Sequence, residues 1–552
     1  MASGHHNTRR ARYRARVTSR SRNRVLAATI VAGCALSLAV VAVSASGPAG
    51  VPSQAASTGT NDPQAGTELA STQAQASAAY PSALRPYYEQ RLRWASCPGG
   101  SPPEFQCTGM KVPVSYANPK GFGDITIKVT RRPATSSQNR LGSLVVNPGG
   151  PGGSGIEYAQ AADMIVSASV LNRYDLVGFD PRGVGASAPL SCLTDAQLDA
   201  FLAADATPDT ASEVSAFRSM SDALGKGCLK SNRELARRVD TESAARDMDI
   251  LRGVLGDSRM TYLGKSYGTF LGSTYARLFP TRVGRFVLDG VVDPAMDNVA
   301  LSKAQAMGFE RAMRRFLSDC ASRSNCPLRK DPDAAYRQLL DLIARTDARP
   351  IPTSDRRRPL TQSLLQTGLI FGMYDSTYGW PAERNALRRV LAGDGADMLS
   401  MIDFYLSRED GHYMDNSNEV IAAVNCIDRP DRPGVPAVQE LARKWAKSYP
   451  MFGEVLAYGL LTCERWPAPA VGRAASWRGT TQPVLIIGNT YDPATPVEGA
   501  KALHKQMRNS RYIEWVGDGH TAYRQGSSCV DSKVDRFYLS GTLPARDQVC
   551  RS

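Results

Sequence analysis

Gly264-Lys265-Ser266-Tyr267-Gly268 sets a serine between two glycines, with an apolar run, Met260–Leu263, before it and a helix-forming run, Thr269–Phe279, after it. That order of strand, turn and helix would hold Ser266 on a turn so sharp that a neighbouring Cβ would clash, which is the use of the glycines. The alternative is a serine in an ordinary strand-to-helix turn. A hydroxyl becomes a nucleophile only when a base takes its proton. Of the five histidines, His5 and His6 lie at the N-terminus, His412 in Glu409-Asp-Gly-His-Tyr413, and His504 on a helical pattern with Val497, Ala500 and Leu503. His520 follows the last expected strand in Gly517-Asp-Gly-His520 and is left as the base. Asp492, in Asp492-Pro-Ala-Thr-Pro496 after the run Val484–Gly488, falls between serine and histidine in chain order. It is the expected acid, with Asp289 and Asp293 as competitors that read equally well as turn-forming aspartates. Together the three residues would run acyl transfer through an acyl-enzyme.

Such chemistry also needs backbone donors for the developing oxyanion. Asn147-Pro-Gly-Gly-Pro-Gly-Gly-Ser-Gly155 follows the apolar run Ser143–Val146 and offers glycine amides that can approach a carbonyl closely. The expected donors are the amides of Gly150 and Tyr267. A phosphate loop is disfavoured, because the Gly-Lys-Ser/Thr ending is missing.

Positioning these groups falls to an α/β fold with a mostly parallel sheet flanked by helices. Short β-rich runs alternate with helical ones: Met110–Val114, Ile125–Val129, Ser143–Asn147, Tyr174–Phe179, Met260–Leu263, Arg285–Leu288, Pro483–Gly488 and Tyr512–Val516 read as strands, and Thr241–Leu255 as a helix. Between Asp293 and Pro483 the alternation gives way to helical periodicity, as in Gly308–Cys320, Ala334–Thr346 and Ala437–Ser448. The expected organisation is a leader over 1–45, a flexible linker or pro-segment over 46–80, a first core part over 81–294, an inserted, mainly helical cap domain over 295–482, and a second core part over 483–552.

Of the net charge of +14, eight units belong to the arginines at 9, 10, 12, 14, 16, 20, 22 and 24, leaving +6 for the remainder. No basic stripe with interleaved aromatics is found there, so nucleic acid is not an expected partner. The arginines lead into the uncharged apolar run Val25–Val43 and then Ser44-Ala-Ser-Gly47, the order of a signal peptide. The expected protein is secreted and extracellular, with no membrane contact once the leader is removed. An uncleaved anchor, or a lipid on Cys34 of Val31-Ala-Gly-Cys34, is the alternative. Ten cysteines remain beyond Cys34, an even number that reads as disulfides behind an export signal. Short loops favour neighbours: Cys97 with Cys107, Cys192 with Cys228, Cys320 with Cys326, Cys426 with Cys463, Cys529 with Cys550. No Cys-x-x-Cys pair suggests zinc, and neither metal nor cofactor is expected.

Pro148-Gly-Gly-Pro-Gly152, Gly178-Phe-Asp-Pro-Arg-Gly-Val-Gly-Ala-Ser187, Gly264-Lys-Ser-Tyr-Gly268, Asp492-Pro-Ala-Thr-Pro496 and Gly519-His520 stand in one order along residues 85–552. In this the chain resembles the tripeptidyl aminopeptidases secreted by actinobacteria, relatives of the proline iminopeptidases within the α/β-hydrolase fold. One departure is Pro148, where the iminopeptidases carry histidine. The resemblance implies peptide substrates and removal of short peptides, often tripeptides, from free N-termini. Recognition of the substrate ammonium would then need carboxylates, and Glu157, Glu409 and Asp428, with Asp410, Asp415 and Glu419, are the candidates. Two other readings share the motifs: an exported esterase or lipase-like hydrolase, and an inactive hydrolase fold serving as a binding protein.

Overall fold

The computed structural model describes residues 80–472 and 479–551; the expected leader, Cys34 and nearly all of the expected linker lie outside these residues. The described chain divides into two units. In the first, a short helix spans Arg85–Tyr88, and the ring of Tyr80 stacks on that of Tyr88 at 3.7 Å. All that follows concerns the second unit, residues 91–97 and 102–552.

A ten-stranded sheet organises this unit. Strands β1 (Ala95–Ser96), β2 (Gln106–Pro113) and β3 (Asp124–Arg132) form an antiparallel edge, and β3 pairs antiparallel with β5 (Tyr174–Phe179). From β5 onward the order is β5, β4 (Gly142–Asn147), β6 (Met260–Lys265) and β7 (Val283–Asp289), and all these pairs are parallel. Every residue of β4 and β5 is buried, as expected of central parallel strands covered on both faces. Helices α1 (Gly155–Gln160), α2 (Ala211–Ser231), α3 (Thr241–Val254) and α4 (Tyr267–Leu278) connect these strands. Ser154, Thr210 and Asp240 cap the first three by accepting from backbone amides, which ends each loop at a defined residue.

After β7 the chain leaves the sheet for α5 (Asn298–Ala321), α6 (Pro332–Ala348), α7 (Gln362–Gly372), α8 (Gly379–Leu391), α9 (Ala396–Tyr405), α10 (Ser417–Asp428) and α11 (Val435–Ser448). A two-stranded hairpin, β8 (Arg408–Glu409) with β9 (His412–Tyr413), is the only strand pair described within this insert. The insert has its own apolar core, including Phe309, Met313, Phe316, Leu339, Leu365 and Leu387. The chain rejoins the sheet at β10 (Val484–Tyr491), continues through α12 (Val497–Gln506), β11 (Ser510–Asp518) and α13 (Ser528–Ser540), and ends on β12 (Gln548–Arg551). Among the described residues no helix is long and apolar enough to cross a membrane.

The structure adds elements that the sequence reading lacks. Helix α2 lies between two core strands in sequence, yet its Val214 and Phe217 pack with Val438 and Trp445 of the insert. The helical layer is thus fed by two excursions from the sheet. Strand β12, short and half polar, extends the parallel edge beside β11. Disulfides join Cys97–Cys107, Cys192–Cys228, Cys320–Cys326, Cys426–Cys463 and Cys529–Cys550. The last ties β12 to α13, and each such closure stabilises a fold by about 2–4 kcal/mol.

Candidate active site

Ser266 sits between β6 and α4 with φ 56° and ψ −127°, a left-handed conformation that a non-glycine residue holds only under constraint. The flanking glycines permit it. A Cβ on Gly264 would meet the Gly268 carbonyl oxygen at 2.4 Å, and one on Gly268 would meet the Asn147 carbonyl oxygen at 2.7 Å. The glycine loop after β4 lies directly on this elbow: a Cβ on Gly149 would fall 2.9 Å from both Ser266 Cβ and the Tyr267 nitrogen. Gly149's own amide donates to Asn147 Oδ1 at 3.0 Å, so that donor is spent inside the loop. Gly150 follows it at φ 109°, and Tyr267 opens α4.

Two strands along the sheet from β6, β10 shifts register against β11 between Asn489 and Tyr491, just before Asp492. Such an irregularity re-aims the residue that follows it. Asp492 is fully buried, and its two oxygens lie 2.9 and 3.0 Å from His520 Nδ1. The same carboxylate accepts from the amides of Ala494 (3.0 Å), Thr495 (2.8 Å) and Thr521 (3.0 Å), and from Thr495 Oγ1 (3.0 Å). This many donors hold the carboxylate in one orientation, and the imidazole edge follows it. His520 keeps 12% of its side chain exposed, enough for a reactant to reach the ring.

Buried polar contacts join the serine's strand to the histidine's loop. Lys265 Nζ donates to the Tyr523 carbonyl at 2.7 Å and to Thr521 Oγ1 at 3.4 Å, and lies 3.8 Å from Asp289. Asp289 accepts in turn from the amides of Ala522 and Tyr523 at 2.9 Å each. Burial pushes the Lys265 ammonium below its ordinary range, with Asp289 opposing; burial likewise raises Asp289, with Lys265 opposing. The structure therefore gathers Ser266, the glycine loop, Asp492 and His520 at the C-terminal ends of parallel strands. Open parallel sheets place their ligands at this end of the strands.

Residues 449–550 match a family model described as TAP-like protein. Over 491 residues the chain is 35% identical to serine protease Hip1 of Mycobacterium tuberculosis, a match covering 84% of this chain and 92% of that one. This chain belongs to the TAP-like family of α/β-hydrolases. A protein of M. tuberculosis named carboxylesterase B is also 35% identical, over 81% of this chain and 86% of its own length. The tripeptidyl aminopeptidase of Streptomyces coelicolor is 30% identical, over 83% of this chain and 86% of its own.

The other residues that entered the sequence argument have separate engagements in this TAP-like chain. His412 Nδ1 meets Asp195 at 2.8 Å, and His504 meets Ser510 at 2.7 Å and Asp547 at 3.0 Å. Asp293 accepts from the Ala295 amide at 2.9 Å and from Gln506 at 2.9 Å. Among the ammonium candidates, Glu157 is exposed in the first turn of α1, and Glu409 is exposed on the β8–β9 hairpin. Glu419 is buried and accepts from the amides of Cys192 and Leu193 at 2.8 and 2.6 Å. Asp428 is buried behind the elbow, where it accepts from the Thr241 amide at 2.8 Å and from Thr241 Oγ1 at 2.5 Å. Thr241 Oγ1 also lies 2.5 Å from the Tyr267 hydroxyl. Burial pushes the Asp428 carboxyl up to about 7. Asp415 accepts from the Ser417 amide and hydroxyl, and Ser417 lies against Gly152 of the glycine loop.

Lys265, Asp289, Thr495 and Thr241 bear on the site and escaped the sequence reading or were given other roles in it. For Thr495 a signal existed: a threonine three residues after the acid can reach back to its carboxylate, as in an Asx turn. For Lys265 nothing local pointed inward, since its hydrogen-bond acceptors lie more than 250 positions away in sequence.

Proposed function

We propose that this chain is an exported serine exopeptidase that releases short peptides, tripeptides among them, from free N-termini through an acyl-enzyme. The observation that carries it is the strained Ser266 elbow, with the glycine loop against it, on the same sheet edge as a His520 whose Nδ1 is held by Asp492 at 2.9 Å. Ser266 Oγ attacks the scissile carbonyl and passes its proton to His520 Nε2. Asp492 keeps the Nδ1–H tautomer and stabilises the imidazolium. The amides of Gly150 and Tyr267 receive the oxyanion. The C–N bond then breaks as the imidazolium gives its proton to the departing amine. Water repeats the sequence on the ester, freeing the peptide and restoring the serine.

Relatives named serine protease and tripeptidyl aminopeptidase, each matched over more than four-fifths of this chain, support a peptide substrate. The helical insert is the cap that selects it. Five disulfides fit an extracellular setting, where such bonds persist. A second reading, an exported esterase, is favoured by the relative named carboxylesterase B at equal identity. Fluorophosphonate labelling, with turnover of a fluorogenic tripeptide and of a short-chain ester, tests both. The peptidase reading expects label and turnover to vanish in Ser266→Ala and the tripeptide to be the better substrate. A strong preference for the ester would promote the second reading.

A further inference from the structure

His520 follows the end of β11, between Gly519 (φ 105°) and the left-handed Thr521 (φ 69°), a turn whose glycine adds little stiffness of its own. The sheet domain grips this loop mainly on its later side, through Thr521, Ala522 and Tyr523, with Asn489 Nδ2 reaching the Gly519 carbonyl at 2.6 Å. Thr495 Oγ1 also meets His520 Nδ1 at 3.3 Å, and Asp518 pairs with Tyr491 in the sheet. Further restraints come from the insert. Tyr374, between α7 and α8, accepts the His520 amide on its carbonyl at 2.8 Å and sets its ring edge-to-face on the imidazole, 5.2 Å between centroids at 84°. Asp375 forms a β-bridge with Gly519. Arg315, on α5, donates to Asp518 Oδ2 at 2.8 Å and lies over the Tyr491 ring at 3.8 Å. One guanidinium thereby holds the residue before Asp492 and the residue two before His520. Residues 518, 519 and 520 are each held by the insert.

We infer that Tyr374, assisted by Arg315, is a positioning residue for His520, so that the helical insert aligns the catalytic base as well as covering the site. The inference rests on the reading of His520 as base. Asp492 fixes one nitrogen but leaves the ring free to rock about that contact. The edge of Tyr374 limits the rocking, and its carbonyl fixes the backbone from which the ring springs. Because these contacts come from the insert, any displacement of α7 and α8 relative to the sheet also moves the base.

The test measures steady-state kinetics on a fluorogenic tripeptide and on p-nitrophenyl acetate, with rates of fluorophosphonate labelling, for the full chain and its variants. Tyr374→Ala is expected to lower kcat on both substrates by about 10- to 100-fold, as a misplacement near 1 Å does. KM for either is expected to move by less than about threefold, since ground-state binding is intact. The labelling rate should fall with kcat, and Tyr374→Phe should restore most of both. Arg315→Gln, at a half-exposed position outside the core, should lower kcat in the same direction and carries the test if Tyr374→Ala does not fold. A loss confined to KM for the tripeptide, with ester kinetics and labelling unchanged, would overturn the inference and make Tyr374 a wall of the substrate site. Labelling that survives Ser266→Ala or His520→Ala would instead overturn the functional reading, and the inference with it.

Discussion

Lys265 Nζ donates to the carbonyl of Tyr523 at 2.7 Å, joining the residue before Ser266 to the loop that follows His520. The ammonium is buried beside Asp289, 3.8 Å away, and the two charges offset each other's burial. Lys265→Met removes one partner of this pair and strands the other. A loss of about 3–5 kcal/mol is expected, because an uncompensated buried charge costs that much. Urea denaturation of the wild type and the variant measures it; equal midpoints would contradict the coupling.

Asp492→Asn should lower kcat by about 10⁴-fold with a folded protein, since the amide favours the wrong imidazole tautomer. Asp289→Asn supplies the contrast. Its oxygens face Lys265 and the amides of Ala522 and Tyr523, so stability should fall further than the chemistry does. Thermal melts beside kcat for the two variants separate the roles. Full activity in Asp492→Asn would move the acid role elsewhere.

Much of this was open to reading from residues alone, for a physical reason. Gly264, Ser266 and Gly268 fall within one short stretch of chain, and the turn they make is dictated locally by φ and by the clash a Cβ would produce. Asp492 and His520 each follow an apolar strand, and adjacent parallel strands bring their C-terminal ends together. What sequence did not convey is contact between distant segments. The packing of α2 on the insert, the tie from Lys265 to Tyr523, and the seat of Tyr374 on His520 depend on tertiary approach, which leaves no local periodicity. Nor did sequence convey that Asp428, read as an ammonium candidate, is buried against Thr241.

Glu383, on α8, is fully buried, and neither of its oxygens has a hydrogen-bond partner among the described residues. Burial alone pushes its carboxyl up to about 8. The folded chain keeps this proton between the unfolded value, about 4.3, and about 8, whereas the unfolded chain has released it. Stability therefore falls as pH rises through that window and levels above it. Glu383→Gln abolishes the slope, so its melting temperature should gain on the wild type from pH 5 to pH 8. Melts at both values check this; a constant difference would show that Glu383 does not titrate there.

An exopeptidase of the proposed kind acts only on peptides whose N-terminus is free. The most direct test of this requirement compares kcat/KM for a fluorogenic tripeptide with that for its N-acetylated twin. Loss of the charge-assisted contacts to the ammonium should cost about a hundredfold or more. Equal hydrolysis of the two would contradict that requirement and leave a general serine hydrolase, with the esterase reading in first place.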